Sequence, residues 1–270
     1  MPVHICKECG TSYAEAPSPP SACPICDDER QYVPGSGQAW VIAEELGATH
    51  VNAWRQLEPN LFEIHTHPDF AIGQRALLVR TPSGNFLWDC IALIDDATVE
   101  LIRGLGGLAG IAISHPHYYT RCQDWAEAFG CHVHLHAADR QWVMRPHPAI
   151  RFWEGDTLPL GPHVTLIRLG GHFPGSTVLH WIKGEATDRL LLTGDTLQVV
   201  ADPHRVTFLY SYPNMIPLSA ETVRRIAGAL KRWPVDRVYG FSVGRQINEN
   251  GSAAIEHSAK RYIDLLAEER

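Results

Sequence analysis

Two histidines one residue apart follow a short apolar run in the middle of this 270-residue chain. Residues 111–113 have the β-branched and apolar side chains typical of a buried strand, and they lead through Ser114 into His115, Pro116 and His117. Proline fixes its own φ and favours an extended residue before it, so both imidazoles can leave the strand end towards one pocket. Neutral imidazole is a common metal ligand near pH 7, and the spacing therefore indicates a metal site. A surface loop that happens to carry two histidines fits the same spacing.

Two more ligand-type residues lie downstream, each at the end of a strand-like run. One is His172, after Gly170 and Gly171, and the other is Asp195, after an apolar run that ends in Thr-Gly. In this order the motifs resemble the metallo-β-lactamase superfamily, which has His-x-His-x-Asp-His, then Gly-x-His, then an aspartate after an apolar strand. The resemblance implies an α/β fold, an αββα sandwich of two packed sheets. It also implies a metal site made of four ligands: His115, His117, His172 and Asp195.

The chain departs from the superfamily pattern at the ligands of a second metal ion. Tyr119 and Thr120 stand where the superfamily has Asp-His, and Phe241 and Ser242 stand where a last histidine is expected. A phenol with a pKa near 10 and neutral hydroxyls are poor zinc ligands at neutral pH. The sequence therefore predicts one active-site ion rather than two.

Three neutral nitrogen ligands with an open fourth position are typical of catalytic zinc, which activates water and polarises carbonyls. We therefore expect a hydrolase of a small ester, thioester or lactone, with Asp195 orienting the attacking water. Tyr119 is predicted to donate a hydrogen bond to the substrate, or else to fill the space of the missing ion. Tyr118, Tyr210 and Tyr212 are predicted to contact the substrate.

Two other functions fit parts of this pattern. Histidines with a carboxylate also make non-haem iron(II) oxygenase sites, and the chain is similar to the persulfide dioxygenases of the same superfamily. Those relatives keep the Asp-His pair that Tyr119 and Thr120 replace here. The third hypothesis is a non-catalytic sensor or scaffold with one structural metal. The complete ligand set argues against this third hypothesis, and we rank the hydrolase above both alternatives.

A second metal site is predicted near the N-terminus from two Cys-x-x-Cys pairs with 13 residues between them. The four cysteines are Cys6, Cys9, Cys23 and Cys26. Four thiolates so spaced suit a tetrahedral structural zinc, and the segment resembles a zinc ribbon or rubredoxin-like knuckle pair. A redox iron centre and a disulfide pair are the alternatives. We predict a four-cysteine zinc-ribbon domain over residues 1–37 and a metallo-β-lactamase-like domain over 38–270.

Composition limits the partners and the compartment. A net charge of −7 gives little support for nucleic-acid binding. No apolar run approaches the roughly 20 residues of a membrane span, and the N-terminus has no signal-peptide pattern. We therefore expect a cytoplasmic protein that acts on a small molecule without binding a membrane. A homo-oligomer is left open.

Local patterns predict the elements that position these residues. Residues 76–80 and 85–89 flank Thr-Pro-Ser-Gly and indicate a hairpin, and the resemblance gives Asp89 at its end a buried supporting role. Helices are predicted over 38–45, 95–105, 123–129, 138–144, 219–230 and 252–269. The stretch before residue 70 lacks a clear pattern, and the His65-Thr66-His67 motif within it has no predicted buried strand leading into it.

Overall fold

The computed structural model describes residues 1–184 and 188–267 and divides into two compact units, Met1–Trp153 and Glu154–Arg270. The predicted four-cysteine segment 1–37 belongs to the first unit. Its independence as a domain stays a prediction. Among the described residues, no helix has the length and apolar character needed to cross a membrane.

The first unit contains nine strands and four α-helices within the residues that the structure describes. The strands are β1 (His4–Cys6), β2 (Trp40–Ile42), β3 (Val51–Glu58), β4 (Leu61–His67), β5 (Arg75–Thr81), β6 (Gly84–Trp88), β7 (Gly110–Ala112), β8 (His132–His136) and β9 (Ile150–Trp153). The helices are α1 (Pro24–Asp27), α2 (Ala43–Thr49), α3 (Asp96–Gly104) and α4 (Cys122–Phe129). Short 3₁₀ turns cover Pro116–Tyr118 and Ala137–Trp142.

Seven strands of this unit form one sheet in chain order from β3 to β9. The pairs from β3 to β6 are antiparallel, whereas β6, β7, β8 and β9 run parallel. Apolar residues of β5, β6 and β7 are buried, which accounts for their β-branched and aliphatic sequences. The parallel strand β7 ends at Ala112, so the His115–His117 loop leaves the sheet at its carboxyl edge.

The predicted hairpin is confirmed as β5 and β6, with Thr81 paired to Gly84. Three other local predictions need correction. Residues 38–45 are not a helix, because Trp40–Ile42 pairs as β2 with β1, and α2 begins only at Ala43. A strand with buried Leu61 and Ile64, β4, does lead into His65-Thr66-His67. In place of the helix predicted over 138–144, a 3₁₀ turn covers Ala137–Trp142.

The second unit contains ten strands and two helices in its described part. The strands are β10 (Thr157–Gly161), β11 (Val164–Arg168), β12 (Thr177–Ile182), β13 (Arg189–Leu192), β14 (Gln198–Val199), β15 (Val206–Thr207), β16 (Leu209–Ser211), β17 (Ile216–Pro217), β18 (Arg237–Tyr239) and β19 (Gln246–Ile247). The helices are α5 (Ala220–Leu230) and α6 (Gly251–Ala267). The predicted last helix extended to residue 269, and its final two residues lie outside the described part of the chain.

A six-stranded sheet runs through the second unit in the order β10, β11, β12, β13, β18, β19, with β13 and β18 parallel. The apolar sides of helices α5 and α6 and residues of this sheet form one hydrophobic core. Val223, Ile226 and Ile255 are buried in it. The Ser219 hydroxyl accepts a hydrogen bond from the Thr222 amide, as expected for an N-cap. Strand β13 then delivers Asp195 three residues past its end.

Candidate metal centre

His115 and His117 are held in a short, fully buried turn after β7. His115 has extended backbone angles, φ −170° and ψ 173°, as the following proline predicts, and a 3₁₀ turn then begins at Pro116. The two imidazole centroids are 5.1 Å apart. His115 is 1% exposed and His117 is 2% exposed, so both ligand-type rings lie within the protein.

The ring of His115 is oriented by two residues behind it. Its Nδ1 forms a 2.8 Å hydrogen bond with the Ser114 hydroxyl, and the Ser114 amide donates to Asp89 Oδ1 at 2.7 Å. Asp89 is buried at the end of β6 and has a positive φ of 62°. Its predicted supporting role is therefore confirmed. Because Nδ1 is engaged by Ser114, His115 would bind a metal through Nε2.

His172 receives its orientation from the main chain of the second unit. Its Nδ1 is 2.7 Å from the carbonyl oxygen of Tyr210. A carbonyl can only accept, so Nδ1 carries the proton and Nε2 keeps the lone pair that a metal needs. Asp195 is 4% exposed, and its own carbonyl accepts a 2.8 Å hydrogen bond from the Tyr212 hydroxyl.

The four predicted ligands come together. One ligand atom from each of His115, His117, His172 and Asp195 lies within 4.8 Å of the other three, and all four residues are buried. Three imidazoles and one carboxylate fit zinc or iron(II) in chemistry and in number. Among residues 1–184 and 188–267, this group and the four-cysteine group are the two clusters of metal-ligand type.

Burial determines the charges of these groups in the protein. It lowers the pKa of His115 to about 3, with a smaller contribution from the Arg30 guanidinium, so this imidazole is neutral at pH 7. Burial also raises the pKa of Asp195 to about 6, and His172 opposes that rise. Removing a neutral imidazole and a carboxylate from water costs less when a cation is bound between them.

The four-cysteine cluster has the geometry of a second metal site. One sulfur from each of the four cysteines lies within 4.8 Å of the others, and all seven cysteines of the chain are free. Tyr13 donates its hydroxyl to Cys23 Sγ at 3.0 Å, and Gln38 donates its amide to Cys6 Sγ at 3.0 Å. Hydrogen bonds from the neighbouring thiols, Cys26 first, lower the pKa of Cys23. The Cys6–Cys26 and Cys9–Cys23 sulfur pairs are each 3.6 Å apart, and four converging sulfurs suit zinc.

The predicted tyrosines occupy different surroundings. The ring of Tyr118 is fully buried, 5.3 Å from that of His115. Tyr119 is 4% exposed, and burial, followed by the charges of Asp139 and Cys122, raises its phenol pKa well above 10. Its phenol is therefore neutral at pH 7. The ring of Tyr212 lies 5.6 Å from that of His172, whereas the described contact of Tyr210 with that histidine is through its carbonyl. Their contacts with a substrate stay predictions.

Residues that support the site from a distance in sequence were not predicted. The Gln74 amide donates to the carbonyls of Cys9 and His117, and Ser12 bonds to Thr120. Neither residue belongs to a motif, and each contact spans more than 40 residues. The Tyr210 carbonyl that orients His172 is likewise a main-chain group, which any residue type would supply.

The fold that carries this site is that of the metallo-β-lactamases. It is similar to the DIM-1 metallo-β-lactamase exposed to ceftazidime, with 15% identity and a TM-score of 0.60 over 80% of this chain and 98% of that one. A B3 metallo-β-lactamase with an active-site glutamic acid matches with 18% identity and a TM-score of 0.55, over 79% and 88% of the two chains. The predicted α/β sandwich class is thereby confirmed.

The chain also has a relative that is similar in sequence along its whole length. The chain is 44% identical over 271 residues to YmaE, an uncharacterized protein of Bacillus subtilis (strain 168), covering 100% of this chain and 98% of that protein. The chain belongs to the same family as YmaE. No family model matches the chain.

Proposed function

We propose that the chain is a metal-dependent hydrolase with one active-site ion, acting on a small ester, thioester or lactone. One observation carries this proposal: four buried residues each place a ligand atom within 4.8 Å of the others. They are His115, His117, His172 and Asp195. A bound zinc would polarise a carbonyl and lower the pKa of water, which is the chemistry that such substrates require. The metallo-β-lactamase fold supports the same class of reaction by analogy.

The chain's own residues have separable parts in this proposal. Ser114 and the Tyr210 carbonyl engage Nδ1 of His115 and of His172, so that each ring would bind a metal through Nε2. Asp195 would accept a proton from water or fix its orientation, because it is the carboxylate of the group. The neutral phenol of Tyr119 would donate a hydrogen bond to the substrate.

The four-cysteine cluster is proposed to hold a structural zinc. We also propose a cytoplasmic location, since free cysteines are typical of a reducing compartment. The proposed partner is a small-molecule substrate, with no nucleic-acid or membrane partner. A net charge of −7 is consistent with that choice.

The test is hydrolysis by the zinc-loaded protein at neutral pH of an activated ester, a thioester and a lactone. Replacing His115 by alanine should lower the rate roughly 100- to 1,000-fold, because several kcal/mol of charge stabilisation depend on the ion. His132→Ala is the matched control, since His132 is an exposed histidine of β8 outside the ligand group. Two results together would favour the dioxygenase instead. The zinc-loaded protein would hydrolyse none of the three substrates, and the iron-loaded protein would consume oxygen with a persulfide.

A further inference from the structure

The segment that follows the first Cys-x-x-Cys pair lies directly against the His-x-His loop. The Ser12 amide donates to the Thr120 carbonyl at 2.9 Å, and the Ser12 hydroxyl donates to the same oxygen at 2.8 Å. Both residues are 1% exposed. Thr120 has an unusual positive φ of 34°, and the two hydrogen bonds from Ser12 hold its carbonyl in that conformation.

A single side-chain amide connects a residue of each ligand set. Gln74 is 4% exposed, and its Nε2 donates to the Cys9 carbonyl at 2.8 Å and to the His117 carbonyl at 3.0 Å. An amide nitrogen has two protons, so these two acceptors use its full donor capacity. The main chain at a thiolate ligand and the main chain at an imidazole ligand are thus fixed to the same nitrogen.

The space between the four-cysteine cluster and the His-x-His loop is closely filled. Gly10 has a φ of +76°, and a Cβ atom there would lie 3.4 Å from Gln74 Nε2 and 3.4 Å from Thr120 Cγ2. A shift of the Cys9–Gly10 turn would therefore press on the groups that hold the loop. Close-packed contacts of this kind transmit displacements because there is no void to absorb them.

We propose that the four-cysteine cluster positions the histidine site through Gln74 and Ser12, so that a metal at the thiolates strengthens metal binding at the imidazoles. Small units with four cysteine ligands fold when they bind metal, so an empty cluster leaves Cys9 and Ser12 without a fixed position. A metal ion that binds the imidazoles must then also order the His117 loop, which lowers its affinity. This inference rests on the proposed function insofar as the histidine group must bind a metal.

The experiment measures cobalt affinity at the histidine site by chelator competition, with the thiolate site loaded or empty. Cobalt at the thiolates is followed separately by its sulfur-to-metal charge-transfer absorption. In the unmodified chain, loading the thiolates should raise affinity at the histidine site. In Gln74→Ala this gain should shrink, and affinity in the loaded protein should fall about 10-fold, as for other residues behind metal ligands.

Asn85→Ala is the matched control. The Asn85 amide also donates to two main-chain carbonyls, those of Leu105 and Gly107, but these acceptors belong to neither the four-cysteine cluster nor the histidine loop. This variant should keep its histidine-site affinity within about twofold, although it also loses two hydrogen bonds from a side-chain amide to main-chain carbonyls.

Ser12→Ala provides a milder second variant, because its backbone amide still donates to Thr120. It should weaken cobalt binding less than Gln74→Ala does, and it decides the matter if Gln74→Ala does not fold. Folded variants with unchanged affinity would overturn the inference alone. An unmodified chain whose histidine group takes up no metal would overturn the proposed function as well, and the two failures are therefore distinguishable.

Discussion

The side chains of His115 and His172 are prepared for metal binding in two different ways. A serine hydroxyl engages Nδ1 of His115, whereas a main-chain carbonyl engages Nδ1 of His172. In both rings the other nitrogen, Nε2, would then be the ligand atom. The difference matters for mutagenesis, because only the serine can be removed by substitution.

Ser114→Ala should weaken metal binding at the histidine site about 10-fold while leaving the four-cysteine site unchanged. The substitution removes the hydroxyl that orients the His115 ring but keeps the hydrogen bond from the backbone amide of residue 114 to Asp89. Chelator competition measures the effect. Ser258→Ala is the control, since Ser258 is also buried and its hydroxyl accepts a hydrogen bond from the amide of Val206, which is not a ligand residue. Equal affinities of the two variants would show that the serine hydroxyl has no part in orienting the ring.

The candidate metal ligands could be predicted from the sequence because each belongs to a short motif at a strand end. His115 and His117 share one tripeptide, and His172 and Asp195 each follow a glycine that lets the chain leave the sheet. Gln74 and Ser12 could not be predicted in this way. Their contacts depend on the packing of distant segments, and a lone glutamine or serine has no pattern that marks it.

At the scale of secondary-structure elements, the residue before His172 occupies the variable position of the Gly-x-His motif, yet its surroundings here favour glycine. Gly171 has a φ of +97°, and a Cβ there would lie 3.0 Å from Ile226 Cδ1 of α5 and 3.0 Å from Leu218 Cδ1. A side chain at this position would require the ends of Ile226 and Leu218 to shift. The candidate ligand His172 directly follows this close contact between the turn and the helix.

Gly171→Ala should destabilise the protein by about 1–3 kcal/mol, the usual cost of a strained backbone conformation, and should also weaken metal binding. Urea unfolding and chelator competition measure the two effects. Gly155→Ala separates them, because Gly155 has a φ of +87° but open space around its Cβ position. That variant should lose stability and keep its metal affinity. A Gly171→Ala protein with normal metal affinity would mean that His172 does not depend on this turn.

Strand β12 contains a buried histidine that makes stability depend on pH. His180 Nε2 is 2.9 Å from the Pro234 carbonyl, and its pKa is lowered, chiefly by burial. The ordinary pKa of 6.5 applies in the unfolded chain. When the pH falls below that value, His180 is protonated in the unfolded chain but stays neutral in the folded protein. The contribution of His180 to the free energy of unfolding is therefore fully present above pH 6.5, and it is lost as the pH falls towards the lower pKa of the folded state.

His180→Gln should reduce this acid sensitivity while keeping a donor for Pro234. We expect the urea midpoint to fall between about pH 7.5 and about pH 5.5 in both proteins, but by less in the variant. Acid release of metal affects both proteins alike and cancels in the comparison. A variant with the same pH dependence as the unmodified chain would assign the acid sensitivity to other groups.

Elements with buried apolar runs were predictable, and those without them were not. The β5–β6 hairpin has aliphatic strands around a Thr-Pro-Ser-Gly turn, which is a strong local signal. Strand β3 is an edge strand with no buried residue, so its sequence lacks the alternation of a half-buried strand. Strand β2 pairs His4 with Ile42, and so distant a partner leaves no mark on the local pattern.

At the scale of the whole molecule, the chain contains two buried ligand groups of different chemistry. The four-cysteine cluster lies entirely within residues 1–37. Its segment nevertheless contacts Gln74 and Thr120, which are too distant in sequence for a local pattern to indicate the contact. The motifs predicted both ligand groups. They could not predict that the N-terminal segment contacts the histidine loop, because main-chain carbonyls of any residue type can make those contacts.

The two groups predict two metal equivalents per chain, one for each. Elemental analysis of anaerobically purified protein should give a total of two. Cys9→Ser and His172→Ala should each remove about one equivalent, since each deletes one ligand of a four-ligand set. Cys131→Ser is the control for the thiol substitution, because Cys131 is free, buried and outside the four-cysteine group.

A third equivalent would contradict the proposal of a single active-site ion. It would require ligands at positions where the sequence offers Tyr119, Thr120 and Ser242. The raised pKa of the Tyr119 phenol opposes its ionisation, and an un-ionised phenol is a poor ligand for zinc. Tyr119→Phe should therefore leave the metal content at two equivalents. A drop in metal content in this variant would identify the phenol as a ligand and would reopen the question of a second ion.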